Sequence, residues 1–158
     1  MDVMKIVTVG LREEIFAIDA ALVREILDLV PVTPVPHAEP FVGGLINVRG
    51  KVVPLADLHV RFGMTTPPPD IHTRIVVVDV DLGGETTTVG ILADRVYEVT
   101  EVVTRSLQET PKLGTRWRPE FIQGIGKRGN DFMAIVDLTH LLNHQGIEDG
   151  GTAPKHAA

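Results

Sequence analysis

The alternation of apolar and polar positions predicts short β-strands along most of this chain. Strands over residues 4–9 and 14–18, separated by a turn, read as a hairpin. The same alternation predicts further strands in the second half, over residues 74–80, 86–92, 95–103, 123–127 and 132–136. These elements favour a mostly-β protein.

A second hairpin is predicted around Arg49 and Gly50. Apolar runs at residues 45–48 and 51–55 flank this pair, and glycine tolerates the positive φ of a tight hairpin. The stretch before it contains the prolines at positions 31, 34, 36 and 40, which exclude regular helix. A proline-rich connection at residues 65–69 then separates two units.

Short helices are predicted where an aspartate precedes an apolar stripe. Asp19 stands before AALVREIL and predicts a capped helix over that stretch. Asp57 caps a turn in the same way, and residues 138–142 form a final short helix. The segment 146–158 has no core-forming pattern and is expected to be a flexible tail.

The chain repeats itself weakly but in order. An offset of 73 aligns residues 18–26 with residues 91–99, and an offset of 80 aligns residues 41–58 with residues 121–138. We therefore predict a single domain over residues 1–145 with two similar lobes, at about residues 11–66 and 70–143. The N-terminal strand could join either lobe. The aligned pairs at offset 80 are Phe41/Phe121, Gly44/Gly124, Leu55/Ile135, Asp57/Asp137 and Leu58/Leu138.

Composition narrows the classes of protein. Of the 158 residues, 44% are hydrophobic but only 4% are aromatic, so Val, Ile and Leu must fill the interior. A net charge of −6 argues against a nucleic-acid binder. Cysteine is absent, which excludes disulfides and thiolate chemistry. No apolar run reaches the roughly 18–20 residues of a membrane helix, and we expect a soluble intracellular protein.

The sequence gives only weak evidence for catalytic residues. GGLINVRGKV lacks the Lys-Ser/Thr ending of a phosphate loop, and Ser106 is the sole serine. His140 and His144 have the i, i+4 spacing of metal ligands, although two exposed side chains at a helix end explain them better. Asp57 and Asp137 are better explained as caps than as an acid/base pair. A metal-dependent enzyme therefore remains only a remote alternative.

The other histidines and the tryptophan are expected to have structural rather than catalytic positions. His37, His59 and His72 are expected at surface or turn positions. Trp117, the only tryptophan, is expected to anchor the connection between the lobes.

Arg49 is a candidate for function because only the first copy of the repeat has an arginine at this hairpin position. With Glu25 it could form an ion pair at the rim, worth under about 1 kcal/mol when exposed. It could equally bind a carboxylate of a partner, since arginine is enriched at interaction hot spots. The residues alone leave these two roles open.

Several stretches, taken together, resemble the CheW family of bacterial chemotaxis coupling proteins. The likeness runs in order from about residue 3 to residue 143, and its most specific block is GLINVRGKVVPLADL. The stretches that carry it are VREI, VTPVPHAEPFVGGLINVRGKVVPLADL, RFG, GILADRVYEV and FIQGIGKRGNDFMAIVDLTHLL.

The resemblance implies two small, SH3-like five-stranded β-barrels packed around a shared hydrophobic core, with short helices and no catalysis or cofactor. It implies a cytoplasmic adaptor, recruited to receptor arrays at the inner membrane. Its partners would be the tips of methyl-accepting chemoreceptors and the regulatory domain of the histidine kinase CheA. A coupling protein of a non-flagellar pathway, serving pilus motility or second-messenger signalling, is the alternative.

The resemblance also implies which residues bind partners. Matching motif positions are Val23, Glu25, Asn47, Arg49 and Gly50, with Gly44 and Val99 as weaker matches.

Overall fold

The computed structural model describes residues 2–37, 41–105, 119–128 and 130–143. Ten strands and two short α-helices lie in these ranges. None of the helices in the described part of the chain has the length and hydrophobicity needed to cross a membrane. The strands are β1 (Asp2–Leu11), β2 (Glu14–Asp19), β3 (Val23–Asp28), β4 (Val42–Val48), β5 (Lys51–Ala56), β6 (Arg74–Leu82), β7 (Glu85–Ala93), β8 (Arg95–Arg105), β9 (Ile122–Arg128) and β10 (Asp131–Val136). The helices are α1 (Leu58–Arg61) and α2 (Leu138–Asn143).

The strands form two five-stranded sheets. The first closes on itself in the order β1-β2-β10-β9-β8, and we call it the closed barrel. The second has the order β3-β6-β7-β5-β4, and we call it the open barrel because β3 and β4 are its two edges. Thr33, beyond the end of β3, forms an isolated bridge with Leu45 of β4, through two N–H to carbonyl bonds of 2.8 Å. This bridge links the two edges.

The backbone confirms the repeat seen in the sequence. Strands β1–β5 with α1 correspond to β6–β10 with α2, and both sheets then have the same strand order. The Asp57 N–H donates to the Phe41 carbonyl at 2.9 Å, and the Asp137 N–H donates to the Phe121 carbonyl at 2.8 Å. The two equivalent hairpins therefore end in the same way.

The predicted lobe boundaries, 11–66 and 70–143, are wrong because the copies exchange strands. The closed barrel takes β1 and β2 from the first copy and β8, β9 and β10 from the second. The open barrel takes β3, β4 and β5 from the first copy and β6 and β7 from the second. Each copy crosses from one sheet to the other after its second strand, so no cut between residues 66 and 70 separates the barrels. The N-terminal strand belongs to the closed barrel.

A large apolar cluster between the sheets forms the shared core. Phe16 of β2 stacks on Phe62 with ring centroids 4.8 Å apart, and Phe62 meets Phe121 edge-on at 6.2 Å. The Arg61 guanidinium lies 4.0 Å from the centroid of the Phe41 ring and 5.9 Å from that of Phe121. Equivalent aromatic residues of both copies therefore flank one cation.

Each barrel also has a smaller apolar cluster of its own. The open barrel's cluster is Ile46, Val48, Val53, Leu55, Ile75 and Val77. The closed barrel's cluster is Ile6, Ala17, Val102, Met133 and Ile135. The predicted mostly-β class, with two five-stranded sheets around a shared core, is confirmed.

The helix predicted after Asp19 is wrong. Asp19 does cap a turn, accepting the Ala21 N–H at 2.9 Å, but the turn ends at Leu22 and VREILD continues as β3. The β-branched residues Val23 and Ile26 suit a strand, and β3 pairs along its length with β6. Tertiary pairing thus overrides the helical stripe. Trp117, Ser106, His144 and the segment 146–158 lie outside the described residues.

We expect Phe16→Ala to destabilise the protein strongly. Phe16 is fully buried at the centre of the shared core, and truncation of a buried Phe costs about 3–5 kcal/mol. The control is Phe132→Ala, because the Phe132 side chain is 51% exposed and should change stability by about 0.5 kcal/mol or less. Urea unfolding measures both. Equal losses for the two variants would contradict the assignment of the shared core.

Candidate functional site

The turn between β4 and β5 has a constrained backbone. Val48 pairs with Lys51, and both residues between them have positive φ, 52° at Arg49 and 85° at Gly50. This is the pattern of a two-residue type I′ hairpin turn. The Asn47 side-chain carbonyl accepts the Gly50 N–H at 2.8 Å and holds the turn closed. The sequence predicted the hairpin and the role of Gly50, but not that Arg49 shares the left-handed conformation.

Arg49 and Glu25 form the ion pair that the sequence left open. Arg49 Nη2 donates to Glu25 Oε1 at 2.9 Å, and Arg49 Nε donates to Glu25 Oε2 at 3.2 Å. Glu25 lies on β3 and Arg49 follows β4, so the pair spans the seam between the two edges of the open barrel. It also fixes a side chain whose own backbone is in a disfavoured conformation for a non-glycine residue.

Glu25 is largely covered, whereas Arg49 is exposed, and their ion pair shifts the pKa of both groups. The Glu25 side chain is 19% exposed, whereas the Arg49 side chain is 79% exposed. The hydrogen bond from Arg49 holds the pKa of Glu25 below its ordinary value, and the same bond raises the pKa of Arg49. Two of the five guanidinium N–H groups point at Glu25. Arg49 is thus an oriented cation on the surface.

β3 connects this surface to the shared core. Val23, half-buried, packs against the core cluster between the sheets. The register of β3 against β6 shifts between Val23 and Glu25. Arg24, between these two residues, makes a 3.3 Å ion pair with Asp79 of β6. We call the residues of β3 and of the turn that match the family positions the seam surface (Val23, Glu25, Asn47, Arg49 and Gly50).

Gly44 is not part of the exposed surface. It is buried with φ of 140°, and a Cβ placed on it would lie 2.6 Å from the Thr33 carbonyl oxygen and 2.7 Å from Val32 Cγ1. The absence of a side chain lets the segment at residues 32–33 approach β4 closely enough to form its bridge. Gly44 therefore supports the seam surface indirectly, by allowing residues 32–33 to pack against β4.

Val99 lies on the other sheet. It is on β8 of the closed barrel, paired with Val7 of β1, and its side chain is 57% exposed. Tyr97, two residues earlier on the same strand, is also exposed. Val99 is therefore a separate exposed apolar position, on a different barrel from the seam surface.

The surface position predicted for His59 is wrong, because its side chain is fully buried. His59 Nδ1 lies 2.6 Å from Asp57 Oδ1, and His59 Nε2 lies 2.9 Å from Asp94 Oδ2. Burial alone would lower the pKa of His59, but the bonds to both carboxylates outweigh it and raise the pKa above its ordinary value. No pattern in the sequence linked His59 to Asp94, which follows β7.

The residues of the metal hypothesis are only partly described. The His140 N–H donates to Asp137 Oδ1 at 3.0 Å, as expected of a capping aspartate. Among residues 2–37, 41–105, 119–128 and 130–143, no three His, Cys, Asp or Glu side chains are grouped so as to hold a metal ion.

Gly44→Ala should destabilise the protein by more than about 1 kcal/mol, because it adds backbone strain and a clash with Thr33. The neighbouring Gly43→Ala is the matched control, since a Cβ there would meet Leu55 at an ordinary distance of 3.6 Å. Urea unfolding of both variants tests the prediction. A Gly44→Ala variant as stable as Gly43→Ala would refute the structural role of this glycine.

NMR titration should place the pKa of Glu25 below its ordinary value of 4.5. A lowered folded-state pKa means that the stabilising contribution of Glu25 is present above pH 4.5 and is lost as the pH falls through the folded-state value. Arg49→Gln should raise this pKa more than Arg24→Gln does, because Arg24 acts only through its charge at longer range. The reverse order would contradict the pairing.

The comparisons with known proteins agree with this architecture. A family model described as a CheW-like domain matches residues 5–146. A chemotaxis protein CheW of Rhizobium meliloti is 32% identical over 127 residues, covering 80% of this chain and 79% of its own length. A chemotaxis protein CheW of Treponema pallidum is 28% identical over 144 residues, covering 91% and 85% respectively.

A solved structure has the same fold. The crystal structure of the scaffolding protein TtCheW from Thermoanaerobacter tengcongensis superposes with a TM-score of 0.74 at 30% identity, covering 87% of this chain and 91% of that one. The family match spans nearly the whole chain. This chain belongs to the CheW-like domain family.

Proposed function

We propose that this protein couples the cytoplasmic tips of methyl-accepting chemoreceptors to the histidine kinase CheA, so that receptor state controls kinase autophosphorylation. Membership of the CheW-like family supports an adaptor of chemotaxis signalling that is not an enzyme. The solved relative is itself described as a scaffolding protein. The protein acts by binding.

The observation that carries the proposal is the exposed, oriented guanidinium of Arg49. A surface arginine usually loses conformational freedom when it binds, whereas Glu25 already holds Arg49 in one orientation through two hydrogen bonds. The N–H groups that do not face Glu25 are available to carboxylate or carbonyl oxygens of a partner. Val23 extends the same surface to the junction between the barrels. A receptor helix lying along this junction would meet an apolar floor and a charged edge.

The other seam residues shape this surface. Asn47 and Gly50 set the turn that presents Arg49. Gly44 supports β4 from below. Val99, exposed on the closed barrel, is proposed as a separate apolar contact to a partner.

On the kinase side, the partner is the regulatory domain of CheA, which the family resemblance gives the same two-barrel fold. The adaptor is expected in the cytoplasm, recruited to receptor arrays at the inner membrane and touching the membrane only through receptors. It needs no cofactor and no nucleic acid.

Arg49→Glu should abolish co-sedimentation with receptor-containing membranes, because it reverses the charge of the seam surface and places two carboxylates together. The matched control is Arg24→Glu. Arg24 is also exposed, also paired with a carboxylate and only one residue from Glu25, but its partner is Asp79 of the neighbouring strand β6 rather than a residue across the seam. Ternary assembly with CheA by a folded Arg49→Glu variant at the wild-type level would reject the role of Arg49.

Exchanging the charges of residues 25 and 49 distinguishes two roles of Arg49. Either Arg49 contacts the receptor directly, or it only stabilises the turn. Glu25→Arg combined with Arg49→Glu can restore the ion pair with reversed polarity. If Arg49 contacts the receptor directly, this double variant stays defective in receptor co-sedimentation. Full recovery would show that the pair only shapes the turn, and would contradict a direct contact.

A further inference from the structure

A buried group of polar residues lies away from the seam surface and is not used by the proposed function. His59 of α1 is enclosed between the carboxylates of Asp57, which caps α1, and Asp94, which lies between β7 and β8. The Thr66 hydroxyl donates to Asp57 Oδ2. The Arg12 N–H, in the turn between β1 and β2, donates to Asp94 Oδ2 at 2.6 Å.

The geometry assigns a proton to each ring nitrogen of His59. Both Nδ1 and Nε2 face a carboxylate oxygen, which only accepts hydrogen bonds when it is ionised. A neutral imidazole would set the lone pair of one nitrogen against a carboxylate oxygen inside the protein, which is costly. The ring is therefore an imidazolium between two carboxylates.

This group joins elements from both sheets. α1 follows β5 of the open barrel, and Asp94 marks the crossing of the chain from β7 in the open barrel to β8 in the closed barrel. Arg12 lies in a turn of the closed barrel, and its Nε also donates to the Thr65 carbonyl at 2.6 Å. The His59 ring is the only described cation bonded directly to both Asp57 and Asp94.

The charged groups that bond to the ring or to its carboxylates lie on three parts of the chain. Asp57 caps α1, the helix that carries His59, and Asp94 lies between β7 and β8. The backbone N–H of Arg12 reaches Asp94 from the turn between β1 and β2. Arg61, also on α1, points to the rings of Phe41 and Phe121 instead.

The second copy of the repeat lacks this arrangement. The offset of 80 that relates the copies places His59 on Thr139 and Asp57 on Asp137, and the offset of 73 places Asp94 on Ala21. Thr139 is exposed. Asp137 caps α2 and lies 3.6 Å from Nδ1 of His140, whose side chain is exposed rather than enclosed. The buried histidine is therefore an addition to one copy rather than a requirement of the fold.

We propose that Asp57, His59 and Asp94 form a protonation-dependent clasp between the two barrels, closed while the His59 ring carries both protons and weakened when it loses one. The proposal stands independently of the receptor and kinase assignment. It predicts a junction that loosens as the pH rises through the folded-state pKa of His59, beginning with α1 and the Thr66 contact.

The pH range in which the clasp stabilises the protein follows from the pKa shifts of His59 and Asp57. A His59 pKa raised above 6.5 in the folded state means that its stabilising contribution is fully present below pH 6.5 and is lost as the pH rises through the folded-state value. The pKa of Asp57 is held below its ordinary 3.8: burial opposes this, but the hydrogen bonds from His59 and Thr66 prevail. Its contribution is present above pH 3.8 and is lost as the pH falls through the folded-state value. The clasp is strongest between these two transitions.

NMR of the ring signals, followed from about pH 5 to pH 9, tests the proposal in the wild-type protein. The chain has six histidines, and the His59 signal is identified by its loss in His59→Gln or, should that variant not fold, by through-space contacts to its neighbours. We expect the His59 ring to titrate above 6.5 and to show two protonated nitrogens below its pKa. Titration at or below 6.5, or a ring that is mostly neutral at pH 6.5, would overturn the clasp.

The pH dependence of unfolding gives a second readout. The urea midpoint of the wild type should fall as the pH rises through the pKa measured for His59, and His59→Gln should lose this fall. His72→Gln is the matched control, because His72 is exposed and contributes only its backbone N–H to the bond with Asp70. It should keep the wild-type profile. A His59→Gln variant with an unchanged profile, or a His72→Gln variant that loses the fall, would contradict the assignment to His59.

Discussion

The apolar cluster between the two sheets is the constraint on which the rest of the structure depends. It is built from both copies of the repeat, because each copy contributes strands to both barrels. Neither copy can complete a barrel alone, since the parallel pairs β5–β7 and β2–β10 join strands from different copies. The two barrels are therefore coupled through one core, which suits the proposed role of holding partners in fixed relative positions.

The seam surface arises where the open barrel departs from the closed one. In the closed barrel, β8 and β9 pair directly, with Val103 opposite Lys127. In the open barrel the equivalent strands β3 and β4 are edges, and the described links between them are the Thr33–Leu45 bridge and the Glu25–Arg49 pair. An exposed strand edge is a common place for partners to bind. The proposed binding surface thus lies between β3 and β4, at the position where the equivalent strands β8 and β9 pair and close the other barrel.

Local chemistry in the sequence predicted much of the structure. The hairpin at Arg49 and Gly50 followed from turn residues between β-like runs, and the capping role of Asp57 followed from its position before a helical turn. The repeat and the family resemblance predicted the paired five-stranded sheets. The Glu25–Arg49 pair was one of two roles considered, and the side chains form it. The other role, binding of a partner by Arg49, stays a prediction.

What the sequence did not predict depends on contacts distant along the chain. The exchange of strands between copies is invisible to self-comparison, because the repeat unit has the same pattern whichever partner its strands find. Residues 23–28 have a helical stripe, yet pairing with β6 makes them a strand. His59 and Asp94 are 35 positions apart and meet only because the chain crosses between the sheets after β7. Gly44 matched a family position, but its burial required the approach of Val32 and Thr33.

The most direct test of the central claim is to map binding on the whole protein. Isotope-labelled protein is titrated with a soluble fragment of a chemoreceptor's cytoplasmic tip, and amide shift changes are recorded residue by residue. The account predicts that the largest changes cluster on the seam surface, at β3 around Val23 and Glu25 and at the turn around Arg49. Saturable binding whose changes avoid this surface, such as changes confined to β9 and β10, would contradict it.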